Sequence, residues 1–339
     1  MKTSNHKPTL DDVARIAGVS SITVSRLVNG GSRVRPETAR KIRAAIARVG
    51  YKPNEAARIL KGGLPKIIGL IVPDLADPFY GTCAQAVYEI GRSRSYMTIV
   101  VGSGYRADVE LLEIEMMIHR RVAGLLLIPT GVDKTPIKKI QDAGLPVVCF
   151  DRTLPGLETD AVVVNNRDSS YEAVKHLIGH GHKNILCLGN QSDLYPIRLR
   201  IQGYEDAVRE AGLPSIVLER ADTLDGLDTE LARLMNTKQH PTAVFCVNNL
   251  ASMLLLEAAA LRHYQIPRQL AMIGFDDFKM AALLKPALTV VRQPAVEMSQ
   301  RAASILLDRL ASSSHGLPAT VILSTELVIR ESCGCKAQK

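Results

Sequence analysis

Residues 9–31 read TLDDVARIAGVSSITVSRLVNGG, and this stretch decides how the amino-terminal part of the chain folds. Thr9 followed by Asp12 predicts a helix start in which each side chain caps the backbone amide of the other residue. Apolar residues then recur at helical spacing until Gly18 breaks the pattern. Ser20 is a favourable cap for a second helix. Two short helices joined by a tight turn that contains glycine predict a helix-turn-helix.

A third helix completes this head. Pro36 suits a first helical turn and Gly50 suits a carboxyl-terminal stop, which predicts a helix up to Val49. A plain three-helix bundle would explain these signals equally well. It would not explain why the second helix begins with small polar residues and then presents Arg26. A recognition helix needs that composition, because bulky side chains would hold it away from the base edges.

Positive charge is concentrated at the same end of the chain. Residues 1–63 contain 13 Lys and Arg against 4 Asp and Glu, a net charge of +9, whereas the remaining residues carry a net charge of −1. A basic head on a nearly neutral body favours nucleic-acid binding over a general solubility effect.

No stretch is apolar for the roughly 20 residues that a membrane span requires, and no apolar leader opens the sequence. Most of the six cysteines lie within apolar segments, which indicates free thiols in a reducing cytoplasm.

Residues 51–63, YKPNEAARILKGG, predict a short hinge helix. Pro53 keeps the preceding residue extended, and Asn54 can cap a helix that Gly62 terminates. Seven helical residues are too few to be stable alone in water, so the segment requires a partner, such as DNA together with the same helix of a second subunit. Ordinary burial of Leu60 in a contact between domains is the alternative.

From residue 67 onward, strand-like and helix-like segments alternate. The predicted strands are IIGLIVP (67–73), MTIVVG (97–102), GLLLIP (124–129), VVCFD (147–151), AVVV (161–164), ILCLG (185–189), AVFCVN (243–248), LAMIGFD (270–276) and TVVRQ (289–293). The predicted helices lie at about 80–94, 108–120, 168–179, 199–211, 249–263 and 295–311. Near-continuous apolar strands separated by helices predict parallel sheets covered on both faces. The series divides near residue 163, which predicts two doubly wound subdomains with a ligand crevice at the carboxyl ends of their strands.

Two patterns that could indicate an enzyme are weak. Residues 102–107, GSGYRA, match a dinucleotide-binding pattern, but the next strand does not end in the acidic residue that such a site uses. Asp276 and Asp277 form a carboxylate pair after a strand, but adjacent residues on a strand point in opposite directions. Neither a cofactor nor a catalytic site is therefore expected.

A metal site is also weakly indicated. His176, His180 and His182 could bind a metal, yet they lie at a predicted helix end, where the helix dipole favours histidine, and no cysteine or carboxylate stands next to them. Cys333 and Cys335, in a terminal C-G-C, offer only two ligands. The tail is therefore interpreted as structurally unimportant, and no metal is expected.

A ligand-binding interpretation fits four polar residues better. Asp151, Arg200, Asn248 and Asp276 lie near or just after predicted strand ends, from where they would converge on the crevice. Carboxylates accept hydrogen bonds from vicinal hydroxyls, and a guanidinium donates to ring or hydroxyl oxygens. The combination indicates a site for a polyol. A structural ion pair of Arg200 and a helix cap by Asp151 are the alternatives.

Further motifs follow one another along the body. They are IIGLIVPDLADPFY, FDR, NILCLG, RIQGYEDA, VNN, IGFDD, VRQP and ELVIRESCG. Together with the head and hinge stretches, their order resembles the lactose-repressor/galactose-repressor (LacI/GalR) family of bacterial transcription factors along essentially the whole chain. The resemblance implies an all-α helix-turn-helix head at 1–50, a hinge helix at 51–63 and a periplasmic-binding-protein-like α/β body at 64–339. Within the body it implies one subdomain at about 64–163 and 291–321 and a second at about 164–290 and 322–333.

The resemblance implies roles in the head and hinge. Ser21 and Ile22 match the two positions that chiefly select operator bases, although Ile22 can only contact a thymine methyl or pack. Leu60 matches the apolar wedge that enters the minor groove and kinks the duplex. Arg35 stands where relatives often carry a serine-type cap, so the third helix is expected to start less firmly. The implied DNA-contacting positions are Thr9, Ser20, Ser21, Ile22, Thr23, Ser25, Arg26, Asn29, Asn54, Ala57 and Leu60.

The resemblance also implies an effector site. Arg200 and Asp276 match the family's effector anchors. The implied supporting and covering positions are Asp151, Asn248, Gln293, Phe79 and Tyr80. Asn249 replaces the aspartate that usually follows Asn248, so that edge of the pocket is expected to differ.

The expected protein is a cytoplasmic, homodimeric repressor that binds a palindromic operator and responds to a sugar, a sugar acid or a related polyol. Dimerisation through the body would set the spacing of the two heads. No apolar heptad repeat follows the last motif, so no tetramerisation segment is expected. The alternative from another class is a soluble sugar-binding protein or sugar-processing enzyme without regulatory DNA binding.

Overall fold

The computed structural model divides the chain into two compact units, Met1–Pro65, which contains the head, and Lys66–Lys339, the body. The described residues are 8–28, 34–51, 65–154, 156, 158–189, 193–219, 223–312 and 316–335. The predicted hinge helix, with Asn54, Ala57 and Leu60, lies outside the described residues, as does Asn29. None of the described helices is long and apolar enough to cross a membrane.

Three helices form the head, and the structure confirms the predicted helix-turn-helix. They are α1 (Leu10–Ala17), α2 (Ser21–Val28) and α3 (Pro36–Val49). The capping box is present, because Asp12 N donates to Thr9 Oγ1 at 3.3 Å and Thr9 N donates to Asp12 Oδ2 at 2.9 Å. Gly18 ends α1 with a φ of 66°, and Ser20 Oγ accepts from Thr23 N at the start of α2. The caps predicted from the sequence therefore set the turn between the two helices.

A small apolar core holds the three helices together. Val13 of α1, Val24 of α2 and Ile42 of α3 are completely buried in it. Arg35 precedes α3 without a side-chain cap in the described part of the head, in line with its departure from the family pattern. Because α2 packs through Val24, its opposite side remains available to a partner.

The first half of the body is a six-stranded parallel sheet. Its strands are β1 (Ile67–Val72), β2 (Met97–Gly102), β3 (Gly124–Leu127), β4 (Val147–Phe150), β5 (Asp160–Val164) and β11 (Thr320–Leu323), in the order β11-β5-β4-β3-β1-β2. The helices of this half are α4 (Pro78–Ser93), α5 (Ala107–His119), α6 (Thr135–Asp142) and α11 (Ala295–Ala311). Strands β3 and β4 are buried at every position, as expected for a parallel sheet covered on both faces.

The second half repeats this architecture. Its strands are β6 (Ile185–Leu188), β7 (Ile216–Leu218), β8 (Ala243–Cys246), β9 (Ala271–Phe275), β10 (Thr289–Arg292) and β12 (Glu326–Val328), in the order β12-β10-β9-β8-β6-β7. The helices are α7 (Asn166–Gly179), α8 (Tyr195–Glu210), α9 (Leu224–Met235), α10 (Asn249–Leu261) and a short 3-10 turn (Lys279–Ala282). Only β12 among these paired strands runs antiparallel to its neighbour. The predicted fold class, two doubly wound parallel-sheet subdomains, is confirmed.

The chain crosses between the two halves three times, after β5, after β10 and between β11 and β12. Two of the crossings are joined at Asn165. Its backbone N donates to Leu323 O at 3.1 Å, and its side-chain Oδ1 accepts from Thr325 N at 3.0 Å. Short, adjacent connections of this kind allow two subdomains to open and close around a ligand.

Several elements were not predicted from the sequence. They are α6, α9, β7 and β11, and the final strand, β12, was implied only by the family pattern, without bounds. The three strands have only three or four residues each and are partly exposed. Their apolar runs are only two or three residues long, shorter than those of the central strands.

Candidate functional site

Helix α2 presents most of the predicted DNA-contacting positions that the structure describes. Ile22 is 71% exposed and Arg26 is also exposed, whereas Ser21, Thr23 and Ser25 are half-buried. An exposed isoleucine beside an exposed arginine provides one apolar and one cationic contact. Such a helix face can meet a thymine methyl group and a phosphate or guanine edge.

The hydroxyl groups around α2 already have partners within the head. Ser20 Oγ lies 2.9 Å from Thr23 Oγ1, and Ser21 Oγ donates to the carboxylate of Asp11 on α1. Thr9 Oγ1 donates to Asp12 Oδ2 at 2.7 Å. Thr9 and Ser20 therefore serve as helix caps, and their predicted DNA contacts remain predictions.

A crevice between the two halves of the body brings all seven predicted effector positions together. Its lining consists of Asp77, Phe79, Tyr80, Tyr105, Asp151, Arg152, Pro196, Ile197, Arg200, Asn248, Asn249, Leu250, Asp276 and Gln293. These residues follow β1, β2 and β4 of the first sheet and β6, β8, β9 and β10 of the second. The crevice thus lies at the carboxyl ends of both sheets, the location expected for a ligand site in this kind of fold.

Arg200 is the buried cation on the second-half side. Only 3% of the residue is exposed, and its guanidinium carbon lies 3.6 Å from the centre of the Phe275 ring. Its Nε donates to Asn166 Oδ1 and its Nη1 to Val247 O, both at 2.8 Å. Nη1 also lies 3.7 Å from Asp276 Oδ2. The structural ion pair considered from the sequence is therefore present, and it is located within the ligand crevice.

Asp276 and Asp151 occupy equivalent positions in the two halves. Each follows the fourth strand of its half and has a positive φ, 76° and 61° respectively. Asp276 N donates to Val291 O at 2.8 Å, and Asp151 N donates to Val162 O at 2.9 Å. Aspartate is among the few residues that tolerate this left-handed conformation, and strained backbone of this kind is often found at binding sites.

The surroundings of Asp276 make its carboxyl group a weaker acid than that of an ordinary aspartate. Burial raises its pKa to about 6, although the charge of Arg200 and a 2.6 Å hydrogen bond from Gln293 Nε2 act in the opposite direction. Asp277, the adjacent residue, pairs instead with Arg292 at 2.7 Å and Arg330 at 2.8 Å. The two carboxylates point apart, as predicted from their adjacent positions.

On the first-half side, Arg152 was missed by the sequence reasoning although it lies next to Asp151. Its Nη2 donates to Tyr80 Oη at 2.7 Å and its Nη1 to Pro129 O at 3.2 Å, while its Nε lies 3.3 Å from Asp151 Oδ2. Burial raises the pKa of Tyr80 well above its ordinary value, so this hydroxyl stays protonated. The only sequence signal was a charged residue directly after a buried strand.

Three buried polar atoms of the crevice lack hydrogen-bond partners among the described residues: the donor Arg152 Nε and two acceptor oxygens. The two acceptors are Asn249 Oδ1 and Gln293 Oε1. Asn248, by contrast, uses its side-chain oxygen to cap α10, accepting from Ala251 N at 2.9 Å. An unsatisfied buried acceptor is costly, so these two oxygens mark positions where ligand hydroxyls can donate.

The crevice is closed in this structure. Its cavity volume is about 40 Å³, which is room for roughly three water molecules. A sugar is larger than this, so its entry requires the two halves to separate or the side chains to move. Separation of the halves would couple ligand binding at these residues to the arrangement of the two halves.

The interpretation of the carboxyl-terminal tail as unimportant is wrong. Cys335 Sγ lies 3.1 Å from His180 Nε2 and 3.5 Å from His176 Nε2. The third histidine of the predicted group, His182, contacts Thr242 Oγ1 instead, at 2.9 Å from its Nδ1. In the sequence, no cysteine stands next to these histidines. In the structure, a segment about 155 residues further along the chain brings a cysteine to them.

Because the pKa of Asp276 is raised, the free energy of unfolding of the protein should depend on pH. Because its pKa is raised to about 6 from an ordinary 3.8, the folded state binds this proton more tightly than the unfolded state. The associated stabilisation is fully present below the ordinary pKa and is lost as the pH rises through about 6. Asp276→Asn removes the ionisation, so we expect the ligand-free variant to gain free energy of unfolding over the wild type as the pH rises.

The expected gain between about pH 4.5 and pH 8 is on the order of 2 kcal/mol, from the size of the pKa shift. Urea unfolding of both proteins across this range measures it. A difference in unfolding free energy that stays constant with pH would show that the buried carboxyl of Asp276 does not titrate in this range.

Comparisons with known proteins agree with this architecture. The family model "Bacterial regulatory proteins, lacI family" matches residues 9–54, and "Periplasmic binding protein-like domain" matches residues 174–333. The HTH-type transcriptional regulator DegA of Bacillus subtilis (strain 168) is 30% identical over 336 residues, which cover 96% of this chain and 98% of DegA.

Two solved structures are similar along nearly the whole chain. A transcriptional regulator CelR–cellobiose complex has a TM-score of 0.72 and 27% identity, covering 96% of this chain and 99% of that one. A lac repressor dimer bound to operator and the anti-inducer ONPF has a TM-score of 0.81 and 23% identity, covering 97% and 99%, and shares the fold. With its helix-turn-helix head and two-part body, the chain belongs to the lacI family of bacterial regulatory proteins and is a DNA-binding transcriptional regulator.

Proposed function

We propose that this regulator is a repressor whose operator affinity is controlled by a sugar, a sugar acid or a related polyol bound in the crevice. The observation that carries the proposal is the meeting of Arg200 and Asp276 there, beside the unpaired buried oxygens of Asn249 and Gln293. A polyol offers hydroxyl donors to these acceptors and oxygen acceptors to the guanidinium.

The chemistry of the other wall supports the same class of ligand. Phe79 and Tyr80 meet edge to face, with their ring centres 5.3 Å apart, and both line the crevice. Aromatic rings can cover the apolar C–H face of a sugar while polar groups bind its hydroxyls. The similar CelR structure is a cellobiose complex, which is consistent with a carbohydrate ligand.

The proposed control works through the two halves of the body. Arg200 and Asp276 belong to the second half, whereas Phe79, Tyr80 and Asp151 belong to the first. A ligand that contacts both halves favours one degree of closure and therefore shifts the population of body conformations. If the heads of a dimer bind operator in only one of these conformations, ligand affinity and operator affinity are coupled reciprocally.

We also propose that the protein acts as a homodimer on a palindromic operator in the cytoplasm. The exposed positions of α2, with Ile22 and Arg26, would then contact bases and phosphates of each half-site. The hinge positions Asn54, Ala57 and Leu60 would act at the operator centre, as the family resemblance implies. The head alone is small, so dimerisation provides the specificity and the fixed spacing that one head lacks.

A sugar-processing enzyme is the alternative function. Hydrolysis of a sugar by two carboxylates requires an acid and a partner that flank the same bond. Asp277 cannot partner Asp276 in this way, because it is paired with Arg292 and Arg330 outside the crevice lining. We propose ligand sensing rather than catalysis, because the similar proteins are transcriptional regulators.

A thermal-shift screen of the full chain tests the ligand class. We expect at least one sugar or sugar acid to raise the melting temperature by several degrees, because a ligand at about 100 times its dissociation constant adds roughly 2.7 kcal/mol of stability. The same ligand should change operator retention in a gel shift and should be recovered unmodified after incubation. A screen in which only nucleobases stabilise the protein would contradict the polyol proposal, and turnover of the ligand would favour the enzyme.

A further inference from the structure

The end of helix α7 and the carboxyl-terminal segment form a second cluster of side chains, outside the crevice lining. His176 and His180 lie one helical turn apart, and their ring centres are 4.7 Å from each other. Cys335, which follows β12, reaches the same place, and Cys333 Sγ lies 3.4 Å from His176 Nε2. The cluster thus joins the first helix of the second half to the last described residues of the chain.

The distances between the donor atoms match those of a metal site. Cys335 Sγ lies 3.1 Å from His180 Nε2 and 3.5 Å from His176 Nε2, and Cys333 Sγ lies 3.4 Å from His176 Nε2. In a tetrahedral zinc site with Zn–S of about 2.3 Å and Zn–N of about 2.0 Å, neighbouring sulfur and nitrogen ligands are about 3.5 Å apart. One ligand atom from each of His176, His180 and Cys335 lies within 4.8 Å of the other two.

The local backbone brings both thiols to the histidines. Gly334 has a φ of 94°, a conformation that residues with a Cβ rarely adopt, and its N donates to Glu331 O at 3.0 Å. This turn directs Cys333 and Cys335 towards α7. Thr289 Oγ1 donates to Cys333 Sγ at 3.2 Å, the kind of outer contact that fixes the orientation of a metal ligand.

Hydrogen bonding alone accounts for the cluster less well. A thiol carries one proton, so Cys335 can donate to only one of the two imidazoles it faces. A single cation binds the lone pairs of all these donors at once. Cys333 is buried and His176 half-buried, whereas His180 is exposed, so a metal ion could enter from solvent at His180 and be held on the buried side by Cys333.

We propose that His176, His180 and Cys335 bind one zinc ion per chain, and that Cys333, whose Sγ lies 3.4 Å from His176 Nε2, turns in as the fourth ligand. Two imidazoles and two thiolates form a donor set that suits this borderline-soft divalent cation and disfavours magnesium or calcium. The bound ion fastens the carboxyl-terminal segment to α7 and stabilises the second half of the body.

Cobalt substitution in the reduced, metal-stripped full chain tests this site. Added Co²⁺ should produce a thiolate-to-cobalt charge-transfer band and the intense visible bands of tetrahedral cobalt, saturating at one equivalent per chain. Stoichiometric Zn²⁺ should bleach both signals and raise the melting temperature. His180→Asn and Cys335→Ser should each weaken cobalt binding by at least about 100-fold, since even outer-shell changes at zinc sites cost 10–100-fold.

His182→Asn is the matched control, because this neighbouring histidine contacts Thr242 rather than the cluster. It should bind cobalt like the wild type. His180 is exposed and Cys335 is partly exposed, so both ligand variants should fold, which circular dichroism verifies. If the wild type shows no charge-transfer band at one equivalent, or if Cys335→Ser binds cobalt as tightly as the wild type, the proposal is wrong.

Discussion

Removal of residues 1–65 should abolish operator binding while leaving a folded body that still binds its ligand. Residues 1–65 carry a net charge of +9, whereas residues 66–339 carry −1. They also form a separate compact unit that contains the helix-turn-helix. The fragment 66–339 should therefore lose at least about 1000-fold in operator affinity, the usual gap between specific and non-specific binding.

Fluorescence anisotropy with labelled operator DNA measures this loss. For the full chain, the logarithm of the binding constant should fall with the logarithm of salt concentration with a slope of about −5 to −9, because several phosphates are neutralised per dimer. An unchanged thermal shift with ligand is the control for folding of the fragment. Operator affinity retained by residues 66–339 would show that the DNA-binding surface had been assigned to the wrong unit.

Arg200→Ala should weaken ligand binding by at least about 100-fold. The substitution removes the guanidinium donors and leaves the carboxylate of Asp276 buried without its cationic neighbour, and losing a charged hydrogen bond at a buried site costs roughly 1.5–3 kcal/mol per contact. Calorimetric titration of the full chain with the ligand from the thermal-shift screen measures the change.

Arg198→Ala provides the matched control for this experiment. Arg198 lies on the same helix, two residues before Arg200, but its side chain is exposed and outside the crevice lining. It should keep wild-type ligand affinity. Equal affinities for the wild type and both variants would contradict the assignment of the crevice as the ligand site.

The positions of the crevice residues were largely predictable because parallel sheets place the carboxyl ends of their strands at one edge. Asp151 and Asp276 follow buried apolar strands directly, and this local signal was sufficient to place them near a crevice. Arg200 was also placed near a strand end, whereas the structure has it inside helix α8; its role as an anchor came from the family resemblance. The contacts of Arg152 with Tyr80 and Pro129 were not predictable, because they join residues 72 and 23 positions apart.

The carboxyl-terminal cluster shows why the rest of the structure could not be predicted from the sequence. His180 and Cys335 are separated by 155 residues, and no periodic pattern links them. The connecting strand β12 has only three residues and pairs antiparallel with β10, so its apolar signal is weak. Short edge strands are positioned by long-range pairing, which a local reading of residue types does not detect.

Operator affinity measured as a function of ligand concentration, for the full chain and for Asp276→Asn, tests the central claim most directly. Without ligand both proteins should bind operator equally, because Asp276 belongs to the body and not to the DNA-binding head. Saturating ligand should change operator affinity of the wild type by at least about fivefold, the lower end of allosteric coupling. At the same concentration the variant should change less than about twofold, since removing the carboxylate weakens ligand binding. A variant that responds to ligand like the wild type would contradict control through this crevice.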